Sequence, residues 1–354
     1  MFTVIGAGPA GNYLAYLLAK KGEDVEVHEE HAKIGQPVQC TGILTDSVHS
    51  ILKIEEEVVV NKISTFRIIS PNKIILDINL KKKDLILDRA KFDAFIAEKA
   101  KESGVHYRLN SRFTGLQQTK DGIKIKVGNE TETTDFLVGA DGPFSSVAKS
   151  AGLFGEREYI AGVQARVSAI SDPDIMEIFL DKGAFGWYVP EDENTGRIGI
   201  CAYKDALRQF KALLMYKKAH IIQYQSGMIP VYNPHLKTQL ENIALIGDAA
   251  TQVKATTFGG IVPGLLAAQA YAKDPMQYDK NWRKIVGKDL WLNLQIRRIM
   301  NKFPSEEYDR LTSLFKKERV REVIETYDRD FPSKFLFKLL LREPRFLAYA
   351  RYAL

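Results

Sequence analysis

A glycine motif close to the N-terminus constrains the fold of this sequence more than any other feature. Gly6, Gly8 and Gly11 lie between an apolar segment and a predicted helix, and Glu29 ends the next predicted strand. In such a turn the first glycine permits the tight bend, the second lets the backbone approach a pyrophosphate and the third brings helix and strand close. A carboxylate at Glu29 accepts ribose hydroxyls and repels a 2′-phosphate, so the motif predicts an FAD or NAD site. The alternative is a glycine-rich turn that binds nothing.

Two further segments place an aspartate after a predicted buried strand. The first ends at Asp141, and the second contains Asp248, followed by Gly260 and Ile261 at the start of a predicted helix. Ligands of open α/β sheets bind at the carboxyl ends of the strands, so we expect both aspartates at the dinucleotide site. Taken singly, each aspartate–glycine pair is also compatible with an ordinary turn.

The order of the predicted elements indicates an α/β fold in which the nucleotide domain is discontinuous. A Rossmann-type domain is predicted from three ranges: 1–60, 81–155 and 240–275. Short strands with turn residues predict an inserted antiparallel β-sheet, the substrate domain, from 61–80 and 156–239. Helices form the C-terminus, 276–354, and its last part, 331–354, is predicted as a basic, aromatic amphipathic helix. Such a helix suits an anionic membrane surface, and the alternative is a cap on the substrate domain.

Composition limits the setting of the chain. Its 354 residues carry 50 Lys and Arg against 44 Asp and Glu, and this net charge of +6 allows an acidic partner without selecting one. The two cysteines, Cys40 and Cys201, lie far apart, and no apolar stretch reaches the length of a spanning helix. We therefore expect a cytoplasmic protein with no disulfide, no transmembrane segment and no nucleic-acid partner. His28 and His31 are the only close pair of histidines, and we expect no metal site.

Four local signatures relate the chain to one family. They are PVQCTG at 37–42, LDRAKFD at 87–93, GAFGWYVP at 183–190 and GDAATQVK at 247–254. Together with the glycine motif they make the chain, over about residues 1 to 300, similar to FAD-dependent oxidoreductases of the glutathione-reductase and hydroxybenzoate-hydroxylase type. Within that group it resembles the geranylgeranyl reductase family, which includes archaeal digeranylgeranylglycerophospholipid reductases. The resemblance implies that the Rossmann-type domain is FAD-binding.

The motifs and the resemblance together define the expected cofactor-binding residues: Gly6, Gly8, Ala10, Gly11, Glu29, Gln39, Cys40, Gly42, Arg89, Phe113, Asp141, Asp248, Gly260 and Ile261. The resemblance places Cys40 against the isoalloxazine ring and the backbone near Phe113 beside the adenine. Proton donation by the Cys40 thiol is a hypothesis, since packing is the commonest role of a free cysteine. Ala148 stands where related hydroxylases usually carry arginine, so the resemblance does not by itself carry over their NADPH-linked behaviour.

The resemblance implies a reductase that saturates isolated double bonds of geranylgeranyl chains, in membrane lipids or their precursors, by hydride transfer from reduced flavin. The expected substrate-binding residues are Phe185, Trp187 and Tyr188, which offer an isoprenoid an apolar wall, and the expected catalytic residues are Cys40 and Trp187. Without the resemblance, this aromatic group also fits a sandwich core. The alternative functions are a flavin monooxygenase acting on an aromatic ring or quinone precursor, and a non-catalytic prenyl-lipid carrier.

The expected partners follow from this reading. The isoprenoid lipid is the substrate, and an external donor must reduce the flavin, because no second glycine motif for a nicotinamide domain is present. Ferredoxin, a flavoprotein and NAD(P)H are all compatible with the sequence. We expect a monomer or small homo-oligomer with a peripheral contact at the inner face of the membrane.

Overall fold

Most strands precede most helices in the computed structural model, which describes residues 1–353. The strands of this range are β1 (Phe2–Ile5), β2 (Val25–His28), β3 (Ile43–Leu44), β4 (Val59–Ile69), β5 (Ile75–Leu87), β6 (His106–Arg108), β7 (Phe113–Thr119), β8 (Gly122–Val127), β9 (Glu130–Thr134), β10 (Phe136–Gly139), β11 (Tyr159–Ser168), β12 (Ile175–Phe179), β13 (Phe185–Pro190), β14 (Thr195–Ala202), β15 (His220–Pro230), β16 (Gln239–Leu240) and β17 (Ile243–Leu245). Its α-helices are α1 (Pro9–Ala19), α2 (Arg89–Glu102), α3 (Ser146–Ser150), α4 (Ala206–Lys217), α5 (Ile261–Lys273), α6 (Tyr278–Trp282), α7 (Lys288–Met300), α8 (Ser305–Phe315), α9 (Glu318–Thr326) and α10 (Leu336–Arg342).

The chain divides into two compact units, each built from three separate segments. Unit 1 comprises Met1–Val38, Arg89–Glu158 and Pro230–Trp291. Unit 2 comprises Gln39–Asp88, Tyr159–Ile229 and Leu292–Leu354. Compactness does not assign a function to either unit, so the domain bounds given above stay a prediction.

Unit 1 contains a largely parallel six-stranded sheet with the order β16-β17-β10-β1-β2-β6. All neighbouring pairs are parallel except β16 and β17. From β1 the chain continues to β2 on one side, and β10 lies on the other, so the order of strands reverses at β1. This is the predicted Rossmann-type arrangement, which is confirmed.

A smaller antiparallel sheet, β7-β8-β9, adds to the core of unit 1. Buried Ile123, Ile125 and Val127 alternate along β8 with exposed lysines, as expected for a strand with one face on the core. The buried residues share an apolar cluster with Leu137 and Leu245 of the parallel sheet.

Unit 2 contains an eight-stranded sheet with the order β15-β11-β14-β13-β12-β4-β5-β3. β4 and β5 form the predicted hairpin, and Phe210 and Leu213 of α4 cover one face of the sheet. The predicted antiparallel sheet is confirmed, with one parallel pair, β4 and β12, that was not predicted. These two strands come from different segments of the chain, and no hairpin turn dictates their direction.

The C-terminal segment differs from the single amphipathic helix predicted for 331–354. α10 ends at Arg342, and short 3₁₀ turns follow from Pro344. The backbone dihedral angles of Glu343 lie outside the α-helical region, because the proline that follows it disfavours the α conformation. Leu354 lies outside the described residues. Within residues 1–353 no helix combines the length and apolarity needed to cross a membrane.

Candidate functional site

Four parallel strands of unit 1 end side by side at one edge of the sheet. Ile5 is in register with both Gly139 and His28, and Gly139 is in register with Leu245. The residues that follow these strand ends include the predicted cofactor residues Gly6, Glu29, Asp141 and Asp248. The edge therefore lies where ligands of open α/β sheets bind.

The glycine turn between β1 and α1 has the geometry that a dinucleotide needs. Gly6 has a φ of 102°, and a Cβ atom there would lie 2.4 Å from the carbonyl oxygen of Ala140. A Cβ atom at Gly11 would lie 2.1 Å from the carbonyl oxygen of Gly6, whereas one at Gly8 would meet nothing within 4 Å. Gly6 thus lets the turn approach the segment after β10, and Gly11 lets α1 pack closely on the end of β1. The space over Gly8 at the N-terminus of α1 fits a pyrophosphate.

Two backbone N–H groups orient the carboxylate of Glu29. Its Oε2 atom accepts a hydrogen bond from Ala7 N at 2.8 Å, and its Oε1 atom accepts one from His31 N at 3.0 Å. The Nδ1 atom of His31 also lies 2.6 Å from Oε1. A carboxylate has about four lone-pair sites, so Glu29 can still accept a hydrogen bond from a ribose hydroxyl. Two observations, the open space over Gly8 and this oriented acceptor, fit the adenosine and pyrophosphate parts of FAD.

Asn12 is a buried residue of the turn that sequence reasoning missed. Its Nδ2 atom donates to the carbonyl oxygens of Ala7 at 2.8 Å and Asp93 at 3.0 Å, and its Oδ1 atom accepts from Tyr107 Oη at 3.0 Å. The amide therefore ties the glycine turn to α2. A polar residue within the helix-forming segment after a glycine motif was the only signal that could have pointed to it.

Arg89 and Asp248 bring opposite charges to the same unit. Arg89 forms a bidentate ion pair with Asp93, with Nε to Oδ1 at 3.0 Å and Nη2 to Oδ2 at 2.9 Å. Burial raises the pKa of Asp248 to about 6, and the charge of Arg89 opposes that shift. A Cβ atom at Gly260 would lie 2.8 Å from Asp248 Oδ1, so glycine is needed beside this carboxyl.

We expect Asp248→Asn to have opposite effects on the apoprotein and on FAD binding. In the folded protein the pKa of Asp248 is raised to about 6, so folding favours the protonated carboxyl group. The free energy of unfolding therefore falls as the pH rises through this value. The variant should therefore stabilise the apoprotein at pH 8, by on the order of 2 kcal/mol, but not at pH 4. Asp248→Asn should weaken FAD binding at pH 8, because one of the two carboxylate oxygens that can accept from the polyol chain of FAD is replaced by an amide nitrogen. Denaturant unfolding at both pH values and a flavin titration measure these effects.

The other predicted residues of unit 1 have mixed placements. Both carboxylate oxygens of Asp141 cap α3, with Oδ2 accepting from Ser146 N at 2.7 Å and Oδ1 from Ser145 Oγ at 2.6 Å. Phe113 is buried and pairs with Val127 of β8. Ile261 begins α5, and Ala10 packs near Gly264 of that helix. Contact of these residues with FAD stays a prediction.

In unit 2, one glutamine links residues 39–42, the Cys40 loop, to Trp187. Gln164 Oε1 accepts hydrogen bonds from Thr41 Oγ1 and, at 3.3 Å, from Trp187 Nε1. Cys40 is partly exposed, and its Sγ atom accepts from Gly42 N at 3.4 Å. The structure thus links Thr41, the chain neighbour of Cys40, to Trp187 through a side chain that sequence reasoning missed.

The predicted aromatic wall is divided between the two faces of β13. Phe185 and Trp187 lie on one face with ring centroids 5.6 Å apart, and the indole lies across Gly199 of β14. Tyr188 is on the other face, fully buried in the cluster with Phe210, and its Oη donates to Ala169 O at 3.2 Å. Alternate residues of a strand point to opposite faces, so the three aromatics do not form one surface.

A buried ion pair between Arg197 and Glu191 is hydrogen-bonded to the Cys40 loop. Arg197 Nη1 donates to the carbonyl oxygens of Thr41 at 2.5 Å and Leu87 at 2.8 Å, and its Nε atom donates to Glu191 Oε1 at 2.7 Å. Glu191 Oε2 also accepts from Arg166 Nε at 2.5 Å. Neither Arg197 nor Glu191 was predicted as a site residue, and no local motif marks them.

The predicted residues therefore fall into two groups. Those of unit 1 are Gly6, Gly8, Ala10, Gly11, Glu29, Arg89, Phe113, Asp141, Asp248, Gly260 and Ile261. Those of unit 2 are Gln39, Cys40, Gly42, Phe185, Trp187 and Tyr188. Unit 1 carries the nucleotide-binding features, and unit 2 carries the thiol and the apolar aromatic surface.

Comparison with known proteins adds three similar full-length proteins. A digeranylgeranylglycerophospholipid reductase of Methanosarcina acetivorans is 27% identical, covering 88% of this chain and 88% of its own. One of Methanocaldococcus jannaschii is 26% identical over 98% of this chain and 96% of its own. A crystal structure of a geranylgeranyl bacteriochlorophyll reductase-like protein from Thermoplasma acidophilum has a TM-score of 0.85 and 20% identity, over 100% of this chain and 98% of that one. The last likeness shows the fold.

The family match covers parts of both units. The FAD binding domain family matches residues 2–257, which is well over half of the chain. The matched range contains the glycine turn, the Cys40 loop and the Asp248 strand end. The chain therefore belongs to the FAD binding domain family, and FAD is its cofactor.

Proposed function

We propose that the protein is an FAD-dependent reductase that saturates isolated double bonds of geranylgeranyl chains in membrane lipids or their precursors. The observation that carries the proposal is the group in unit 2 that joins the Cys40 loop, Gln164 and Trp187, with the apolar ring of Phe185 beside the indole. Full-length similarity to proteins named digeranylgeranylglycerophospholipid reductase supports the choice of substrate.

The residues of unit 2 suit a hydrocarbon substrate. Bound FAD supplies two-electron redox chemistry, and saturation of one double bond adds two electrons and two protons in all. Phe185 and Trp187 exclude water from an alkene, and their ring faces stabilise positive charge that develops on carbon. Gln164 uses its Oε1 atom to hold the indole in one orientation. The electrons come from an external donor, for which we propose ferredoxin, a flavoprotein or NAD(P)H.

The test is an anaerobic turnover assay with purified, flavin-containing protein. Dithionite reduces the protein in the presence of geranylgeranyl lipid, and mass spectrometry measures the products. We expect mass increases in steps of two hydrogens. Oxygen-dependent NADPH consumption with a hydroxylated product would indicate a monooxygenase instead, and a colourless protein that binds lipid would indicate a carrier. Ferredoxin, a flavoprotein and NAD(P)H can replace dithionite in turn to identify the donor.

Cys40 is the group we propose to donate the proton to carbon. Its thiol is partly exposed, which allows reprotonation from solvent after each turnover. We expect Cys40→Ala to lower the turnover number by 10²-fold or more, the usual contribution of a general acid, with little change in flavin content. Single-turnover product formation with pre-reduced protein measures the effect.

Cys201 provides the matched control for Cys40. It is fully buried, and burial raises the pKa of its thiol to about 12, so it cannot exchange protons readily. Cys201→Ala should leave product formation within a factor of about two. Equal rates for Cys40→Ala and the unchanged protein would remove the proton-donor role while leaving the reductase proposal intact.

We also propose that α10 contacts the membrane surface. Phe337 and Leu341 are 69% and 66% exposed on this helix, and Lys338 and Arg342 are exposed beside them. Glu343, the acid next to the helix, is buried and paired with Lys317, whereas Arg342 has the exposed Glu322 of α9 at 3.8 Å. Apolar side chains between cations suit an anionic bilayer.

The double variant Phe337→Ser/Leu341→Ser should lower binding to anionic vesicles. Each side chain loses burial in the bilayer worth about 1.5–3 kcal/mol, so we expect a loss of at least tenfold in partitioning. Flotation with phosphatidylglycerol vesicles measures it. Ile170→Ser is the control, since Ile170 is 89% exposed in a turn of unit 2. Equal flotation of the two variants would contradict the role of α10.

A further inference from the structure

Three side chains of unit 1 converge at the end of β2, next to Glu29. Glu26 and His28 belong to β2, and Glu132 reaches them from β9. The Nε2 atom of His28 is 3.4 Å from Glu26 Oε2 and 3.5 Å from Glu132 Oε2. The imidazole is fully buried, and its Nε2 atom has no hydrogen-bond partner.

The surroundings orient the imidazole toward the two carboxylates. His28 Nδ1 is 2.9 Å from Ser111 Oγ, and a proton on Nδ1 donated to this hydroxyl leaves a lone pair on Nε2. In this tautomer the Nε2 lone pair faces the Oε2 atoms of Glu26 and Glu132.

Arg108 neutralises only part of the local charge. Its guanidinium contacts the Oε1 atoms of Glu26 at 2.5 Å and Glu132 at 2.8 Å, and also Glu130 Oε2 at 2.6 Å. The Oε2 atoms of Glu26 and Glu132 stay with His28. Three carboxyl groups share this one guanidinium, so a divalent cation would supply positive charge that the group lacks.

We propose that Glu26, His28 and Glu132 bind a divalent cation of the zinc class. Ligand bonds of about 2.1 Å in a tetrahedral site place the ligand atoms about 3.4 Å apart, close to the two distances from His28 Nε2. The side chains of Glu26 and Glu132 are 13% and 16% exposed, so an ion and a water molecule as fourth ligand can enter from solvent. One nitrogen and two carboxylate oxygens are common zinc ligands.

The site would have a structural role. His28 is the last residue of β2 and precedes Glu29, so a bound ion ties the end of β2 to β9. His28 and His31, the close pair in sequence for which no metal was expected, have different partners: His31 contacts Glu29, and His28 faces Glu26 and Glu132. Strand β9 lies about a hundred residues away in sequence, so no spacing motif could reveal the third ligand.

The experiment uses tag-free, FAD-loaded protein that has been dialysed against a chelator. We expect one equivalent of Zn²⁺ to bind, with a rise in melting temperature that follows the free metal concentration. Co²⁺ should bind at the same stoichiometry and give the visible absorption of a four-coordinate ion. Glu132→Gln and His28→Gln should each weaken Zn²⁺ binding at least tenfold. Glu132 is the less buried ligand, so its variant tests the site even if the histidine variant fails to fold.

Two controls separate this site from adventitious binding. Glu130 contacts Arg108 but is not a proposed ligand, and His49 is an exposed histidine of unit 2. The variants Glu130→Gln and His49→Gln should therefore both keep one equivalent of Zn²⁺. The proposal is overturned if the unchanged protein binds no Zn²⁺ when the metal is in large molar excess. That result is expected if His28 Nε2 carries a proton that it donates to the two carboxyl groups. Unchanged affinity in Glu132→Gln would also overturn it.

Discussion

Replacing Gly11 with alanine is expected to destabilise unit 1 strongly and to abolish FAD binding. The added Cβ atom would lie 2.1 Å from the carbonyl oxygen of Gly6 and 3.1 Å from the Cβ atom of Ala140. The first contact is with backbone, so no side-chain rotation relieves it, and α1 must move away from β1. Overpacking of this kind costs about 3 kcal/mol. Thermal unfolding of the apoprotein and the flavin content of the purified protein measure the two effects.

Gly8→Ala is the matched control, because the same methyl group there meets no atom within 4 Å. Its φ of −77° is accessible to alanine, so apoprotein stability should change by less than about 0.5 kcal/mol. FAD affinity should still fall at least tenfold, since the methyl group occupies the space left for the pyrophosphate. An unchanged melting temperature for Gly11→Ala, or normal FAD affinity for Gly8→Ala, would contradict these roles.

The parts of the fold that were predictable from the sequence are those that neighbouring residues determine. The turn at Gly6 follows from a positive φ that glycine adopts readily, and the alternation along β8 reports burial directly. The strand-end aspartates were located for the same reason, although the role of Asp141 as a helix cap depends on the turn that follows it. Local geometry thus predicted where the site lies better than what each side chain does there.

The missed residues act across long separations in the chain. Asn12 bonds to the backbone of Asp93, 81 positions away, and Arg197 bonds to that of Thr41, 156 positions away. A single polar residue in an apolar segment carries no information about its partner, so only the fold could reveal these contacts. The placement of Tyr188 is a different case. The period of two along a strand separates it from Trp187, and treating Phe185, Trp187 and Tyr188 as one wall overlooked that period.

Removing the Arg197 side chain is the second change for which we expect a large effect. Arg197→Met leaves Glu191 buried with Arg166 as its remaining cation, and leaves the carbonyl oxygens of Thr41 and Leu87 without this donor. Loss of one partner of a buried ion pair costs about 3–5 kcal/mol. Chemical unfolding should show this loss. Arg166→Met is the control, since Arg166 is 43% exposed and its loss should cost less than about 1 kcal/mol.

A compensated variant separates the stability of unit 2 from the position of the Cys40 loop. Arg197→Met/Glu191→Leu replaces the buried pair with apolar side chains, which is often neutral for stability, but it does not restore the donor to Thr41. We therefore expect near-normal unfolding, while alkylation of Cys40 by iodoacetamide becomes at least tenfold faster because the loop is no longer held. Arg197→Lys should give an intermediate rate, since an ammonium group can donate to one carbonyl but lacks the planar fork. If Cys40 reacts at the normal rate in the compensated variant, Arg197 contributes only stability, and the backbone of β14 and Gln164 alone position the loop.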